Sequence, residues 1–63
     1  MNEKLLTVDI VSRRLNLSPG TVRNMVRDPM NPLRGVKIGR SIRVYESSLK
    51  ELLLEGERAL FEM

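Results

Sequence analysis

The 63-residue chain has no cysteine and no histidine. Without cysteine it can form neither a disulfide nor a thiolate metal site, and without histidine it lacks the commonest general base and metal ligand. Most hydrolytic, redox and zinc chemistry is thereby excluded. No catalytic residue, metal ligand or cofactor is assigned, because Glu51, Glu55 and Glu57 read as the solvated back of a helix and make no catalytic pair. No apolar run approaches the roughly 20 residues that span a bilayer, and the N-terminus lacks the apolar core of a signal peptide. A cytoplasmic protein with no membrane partner and no enzymatic role is expected. Internal repeats, low-complexity stretches and linkers are also missing, so residues 1–63 are expected to form a single domain. A domain this short buries only about 60% of its unfolded surface. A thin core and no deep substrate pocket follow.

Charge is present and unevenly placed. The formal net charge is +3, but Arg13, Arg14, Arg23, Arg27, Arg34, Lys37, Arg40 and Arg43 face only one acid, Asp28, between residues 13 and 43. From residue 46 onward the balance reverses, with Glu46, Glu51, Glu55, Glu57 and Glu62 against Lys50 and Arg58. A basic block of this kind is the electrostatic footprint of phosphate backbones, although it also suits an acidic protein or anionic lipid.

The most informative stretch is Leu17 to Arg27, LSPGTVRNMVR. Ser18 is a good N-cap, and Pro19 suits the first helical position, where its missing N–H would have had no partner. At about 100° per residue, Val22, Met25 and Val26 share one side, while Gly20, Arg23, Asn24 and Arg27 cluster on the other. One face packs and the other is left for a partner. Arg pairs bidentately with guanine and Asn with adenine, so this face suits base edges as well as phosphates. The plain alternative is a solvated polar face.

Ahead of it, MNEKLL is a short lead whose Leu5 and Leu6 cap the core, and Thr7 caps a first helix from Val8 to about Leu15. Asp9 sits in its first turn, where a negative charge favours the helix dipole. Val8, Val11 and Leu15 form its inward stripe, with Arg13 and Arg14 outside it. Ser12 supplies a small side chain where two helices cross, Asn16 is expected to be left-handed, and Leu17 is expected in the core.

Beyond Arg27 or Asp28 the helix must end, because Pro29 disfavours helical geometry at the residue before it. DPMNPLRG, residues 28–35, reads as an ordered loop tied down by Leu33 and Met30. Val36 to Tyr45 then alternates with period two about a Gly39-Arg40 turn, predicting a two-stranded hairpin. Its apolar side, Val36, Ile38, Ile42 and Val44, should lie on the helices, leaving Lys37, Arg40, Ser41 and Arg43 outward. Ser47 or Ser48 should cap a last helix, and Ser48 with Glu51 fits a capping box. Leu49, Leu52, Leu53 and Leu60 should return to the core, and Gly56 should stop or bend the helix. Leu54 and Phe61 lie beside that stripe, as edge packing or a small protein contact.

Helix, tight turn, helix, Pro/Gly loop, basic hairpin and helix make an α+β fold, a small winged helix-turn-helix. Here the residues carry a resemblance. TVDIVSRRLNLSPGTVRNMVRDP followed by VKIGRSIRVYESSLKELL is similar to the excisionase (recombination directionality factor) and MerR-like DNA-binding domains, over about residues 5–54. The carrying features are SRRLNLS, the S-x-x-T-V-R run from Ser18 to Arg23, and the K-I-G-R-x-I-R wing followed by a serine-capped helix.

The resemblance implies a recognition helix in the major groove and a wing at the minor groove or its flanking phosphates. Arg23, Asn24 and Arg27 would then do the major-groove work, with Ser18, Gly20 and Thr21 at the helix start. Arg40 would be the wing tip, with Lys37, Ser41 and Arg43 beside it, and Arg13, Arg14 and Arg34 would be further backbone-contact candidates. Two positions depart from the family: Asn16 stands where glycine is frequent, and Gly20 where a longer, often basic side chain is usual. MerR-type activators continue into a dimerisation coiled coil and an effector domain, so inducer sensing is not expected.

The expected partners are double-stranded DNA, a site-specific integrase, and further copies of the chain side by side on DNA. The expected function is to bind and bend DNA and so direct excision. The alternatives are a small phage or mobile-element transcription regulator and, from another class, a protein-interaction module with a basic face. The latter predicts binding that ignores DNA sequence and survives Arg23→Ala.

Overall fold

The computed structural model describes residues 3–62, so Met1 and Asn2 of the expected lead lie outside the described residues. Strand β1 (Leu5–Thr7) runs directly into helix α1 (Val8–Leu15), followed by α2 (Pro19–Arg27), strands β2 (Gly35–Ile38) and β3 (Ser41–Tyr45), and helix α3 (Glu46–Phe61). The result is a small α+β winged helix-turn-helix.

The turn between the first two helices is set by Asn16, whose φ of 56° is left-handed. Its N–H donates to the Arg13 carbonyl at 3.2 Å, and the Leu17 N–H to the Ser12 carbonyl at 2.9 Å. This pair of bonds is a Schellman motif, with Asn in place of the usual glycine. Thr7 Oγ1 caps α1 by accepting from the Ile10 N–H at 3.1 Å. Ser12 is buried at the helix crossing, its hydroxyl donating to the Asp9 carbonyl at 2.8 Å. Leu17 is not in the core but 42% exposed. The Schellman motif normally sets this residue against an apolar side chain on the last turn, but of the two positions it can meet Ser12 is polar and Val11 is already fully buried in the core.

The lead is a strand rather than a cap. β1 pairs antiparallel with β3 (Leu5↔Tyr45, Leu6↔Val44, Thr7↔Arg43), which makes the wing the larger part of a three-stranded sheet of order β1-β3-β2. Leu6 reaches the core and Leu5, one residue out of phase, does not. A lone hairpin is marginal in water, and this third strand joins the core face that supports it.

Between α2 and β2, Asp28-Pro29-Met30 and Asn31-Pro32-Leu33 form two successive Asx turns. Asp28 Oδ1 accepts from the Met30 N–H and Asn31 Oδ1 from the Leu33 N–H, each at 2.9 Å. Proline cannot donate but presets φ for the turn. The loop is thus ordered and delivers Leu33 into the core, whereas Met30 is 89% exposed and anchors nothing.

The hairpin differs from expectation in its faces. The pairing is Gly35↔Val44, Val36↔Arg43, Lys37↔Ile42 and Ile38↔Ser41. Residues directly opposite in an antiparallel pair project from the same face. Gly35, Lys37, Ile42 and Val44 therefore face the helices, and Val36, Ile38, Ser41 and Arg43 face away. Lys37 is on the inner face rather than the outer, and Val36 and Ile38 have exchanged places with it. The two-residue turn sets an odd offset between strands, so apolar residues that alternate correctly within each strand end on opposite faces. Gly39, at φ 61°, supplies the positive φ that such a turn requires.

The sheet and α2 approach closely at Gly35. A Cβ built there would lie 2.6 Å from the Arg43 carbonyl oxygen and 2.9 Å from Val26 Cγ1. The core beneath consists of Leu6, Val8, Val11, Val22, Leu33, Val44 and Leu49, with Leu15, Met25, Val26, Ile42 and Leu52 packed around it.

Helix α3 starts at Glu46, with Tyr45 at the N-cap position and no side-chain cap. The expected capping box is absent because Ser48 is buried inside the first turn. Its hydroxyl donates to the Tyr45 carbonyl at 2.7 Å and accepts from the Arg34 N–H at 3.0 Å, tying the loop to the helix. Gly56 does not stop α3, which continues to Phe61. Leu49 and Leu52 pack, but Leu53 and Leu60 are exposed, as are Leu54 and Phe61, because the helix runs past the edge of the core.

Candidate nucleic-acid interface

Helix α2 is fastened by its start and its buried stripe. Ser18 Oγ accepts from the Thr21 N–H at 3.2 Å and shares a hydrogen bond with Thr21 Oγ1 at 2.8 Å. Val22 is fully buried, with Met25 and Val26 half-buried beside it. A 3.6-residue period then sends Gly20, Arg23, Asn24 and Arg27 outward, and all four are exposed. A Cβ added at Gly20 would meet no protein atom, so glycine there serves no internal packing need.

The exposed side of α2 meets the wing across an open groove of about 460 Å³. Arg23, Val26 and Arg27 form one wall, and Gly35, Val36, Lys37, Arg40 and Ile42 the other. A second groove of about 330 Å³ continues from it, lined by Thr7, Val8 and Asp9 at the start of α1, by Arg23, and by Arg40 to Arg43 of the wing. Arg23 and Arg40 line both grooves, so cations from a helix and from a β-turn project from one side of the molecule. Lys37 reaches this side through the register described above: the end of the hairpin overhangs the helices, and its inner face opens into the groove.

No ion pair engages Arg23, Arg27, Lys37, Arg40 or Arg43 among the described residues. Their charge is therefore available to an anionic partner. Arg43 is half-buried and donates to the Ile42 carbonyl at 3.2 Å, and exposed Ser41 sits beside it in the second groove.

The remaining expected contacts fall elsewhere. Arg34 lies on the α3 side, beside Pro32, Ser48 and Glu51. Arg14 lies 3.8 Å from the Glu46 carboxylate at the start of α3, and Arg13 is exposed on α1 and lines neither groove. Val26 and Ile42 give this groove an apolar stretch that the charge pattern does not announce, and Val36 borders it from the strand although its side chain belongs to the opposite face. Counting strand parity outward from the Gly39-Arg40 turn would have exposed the two-faced wing. Among the described residues no group of acids is placed to hold a metal ion, and no helix is long and apolar enough to cross a membrane.

The profile of the helix-turn-helix domain family matches residues 5–57, from β1 into the exposed half of α3. Comparison with curated proteins and with solved structures returned no match. With the two helices, their left-handed Asn16 turn and the cationic groove in place, the match is decisive: the chain belongs to the helix-turn-helix domain family and binds DNA.

Proposed function

We propose that this chain is a sequence-specific DNA-binding protein of the excisionase type, which bends DNA so that a partner integrase assembles in the excising arrangement. It acts by binding alone and carries out no chemistry. The observation that carries the DNA-binding part of this reading is the shared position of Arg23 and Arg40 along both grooves, and the excisionase role rests on the resemblance of residues 5–54. In this reading Arg23, Asn24 and Arg27 meet base edges in the major groove, while Ser18, Gly20 and Thr21 bring the helix N-terminus to a phosphate. Arg40 enters the narrow, electronegative minor groove, and Lys37, Ser41 and Arg43 hold its flanking phosphates.

A single module of this size buries about 600–1,000 Å² on DNA and binds weakly alone. Copies side by side on repeated sites, or contact with the integrase, supply the remaining affinity. The exposed Leu54 and Phe61 on the acidic α3 are the surface proposed for that contact. Footprinting on the DNA around its own gene should show repeated protected sites. A recombination assay with the cognate integrase should lose excision when the protein is omitted; unchanged excision rules the role out.

A further inference from the structure

We infer that Ile38 is an apolar wedge at the tip of the wing, entering the minor groove between its sugar walls and coupling binding to bending of the site. This rests on the DNA-binding reading above and adds to it a residue that carries no charge. Three observations converge on Ile38. It is 55% exposed although it ends a strand whose alternation marks it as a core residue. The register places it opposite Ser41 on the face turned away from the helices, so no internal rearrangement short of a register slip would bury it. It is also flanked by Lys37 and by the Gly39-Arg40 turn, where a Cβ added to Gly39 meets nothing, so the tip is free to approach a surface closely.

A single exposed apolar side chain on a protein surface is ordinary. What sets Ile38 apart is its position, a β-branched side chain at the leading end of a projection that also carries the cations Lys37, on the opposite face, and Arg40, in the turn. The cations bring the tip to phosphates, and the deoxyribose walls between the phosphates are apolar. Once Arg40 is seated, Ile38 is held between those walls at a base step and loses its exposed surface. Apolar side chains inserted from the minor groove partly unstack a base step and bend the duplex towards the major groove. Pyrimidine–purine steps yield most readily, so the wedge also selects sequence without a hydrogen bond to a base.

The test uses the full chain and a duplex selected by the wild-type protein from a randomised pool, end-labelled so that energy transfer reports bending. Ile38→Ser should lower affinity on the order of tenfold, the scale of half-burying an isoleucine. The bend should shrink, and the slope of log affinity against log salt should stay unchanged because no phosphate contact is lost. Ile38→Met, which keeps the apolar bulk, should retain both affinity and bend. Thermal melting of each free variant shows that the fold is intact. Wild-type affinity and bend for Ile38→Ser overturn the wedge, as does a loss accompanied by a lower salt slope. Arg23→Ala is run in parallel: if it binds as wild type, the DNA-reading helix fails whatever Ile38 does, whereas a loss at Arg23 with none at Ile38 removes the wedge alone.

Discussion

Arg23 and Arg40 have the same side-chain chemistry, and the proposed function gives them different tasks. Arg23 is held on a rigid helix, where a bidentate contact can be aimed at one base, so Arg23→Ala should cost about 1–3 kcal/mol on the preferred duplex and relax specificity at one position. Arg40 sits on a two-residue turn, and Arg40→Ala should lower the salt slope by about one and weaken binding without changing the base preferred at any single position. Titrations of both variants at several salt concentrations, on matched and scrambled duplexes, separate the two patterns. Gly35 matters for space rather than charge. Gly35→Ala pushes a methyl group between the Arg43 carbonyl and Val26, and overpacking of this kind costs about 1–3 kcal/mol in chemical denaturation.

Helix α3 is the element whose inner and outer halves follow different rules. Its first two turns are held by Leu49, Leu52 and the buried Ser48 hydroxyl, while the last two are exposed around Gly56. Nothing surrounds Gly56, so Gly56→Ala should stabilise the protein by about 0.5–1 kcal/mol through helix propensity alone. For a domain of this size each kcal/mol raises Tm by roughly 4–8 °C. Calorimetry should show that rise with DNA affinity unchanged, and a fall in Tm would show that Gly56 has a packing role. The capping box read at Ser48 and Glu51 failed because local pattern cannot distinguish a serine that caps a helix from one that staples a loop to it. The staple runs to Arg34, fourteen positions away.

The molecule as a whole is stabilised by a small core. At about 0.05–0.15 kcal/mol per residue, 63 residues give about 3–9 kcal/mol, and Leu33→Ala alone is expected to remove about 2–5. That variant should be partly unfolded at room temperature by circular dichroism. Binding that favours the folded state returns about 2.7 kcal/mol at a hundredfold excess over Kd, so the selected duplex should restore much of its helical signal. No recovery, with wild type binding normally, would mean that the Leu33 loop shapes the interface as well as supporting it.

The residues alone were enough for α1, α2, the left-handed Asn16, the ordered loop, the turn at Gly39-Arg40 and the cationic block, because caps, prolines and 3.6-residue spacing act within a few positions of chain. The pairing of β1 with β3, the staple at Ser48 and the exposure of Leu17, Met30 and Leu60 were settled only when the elements met. Each depends on which surface lies opposite, whereas the faces of Lys37 and Ile38 follow from the two-residue turn once strand parity is counted across it. The functional side belongs to both levels: the cations are legible as residues, and their convergence across the groove is a property of the folded chain.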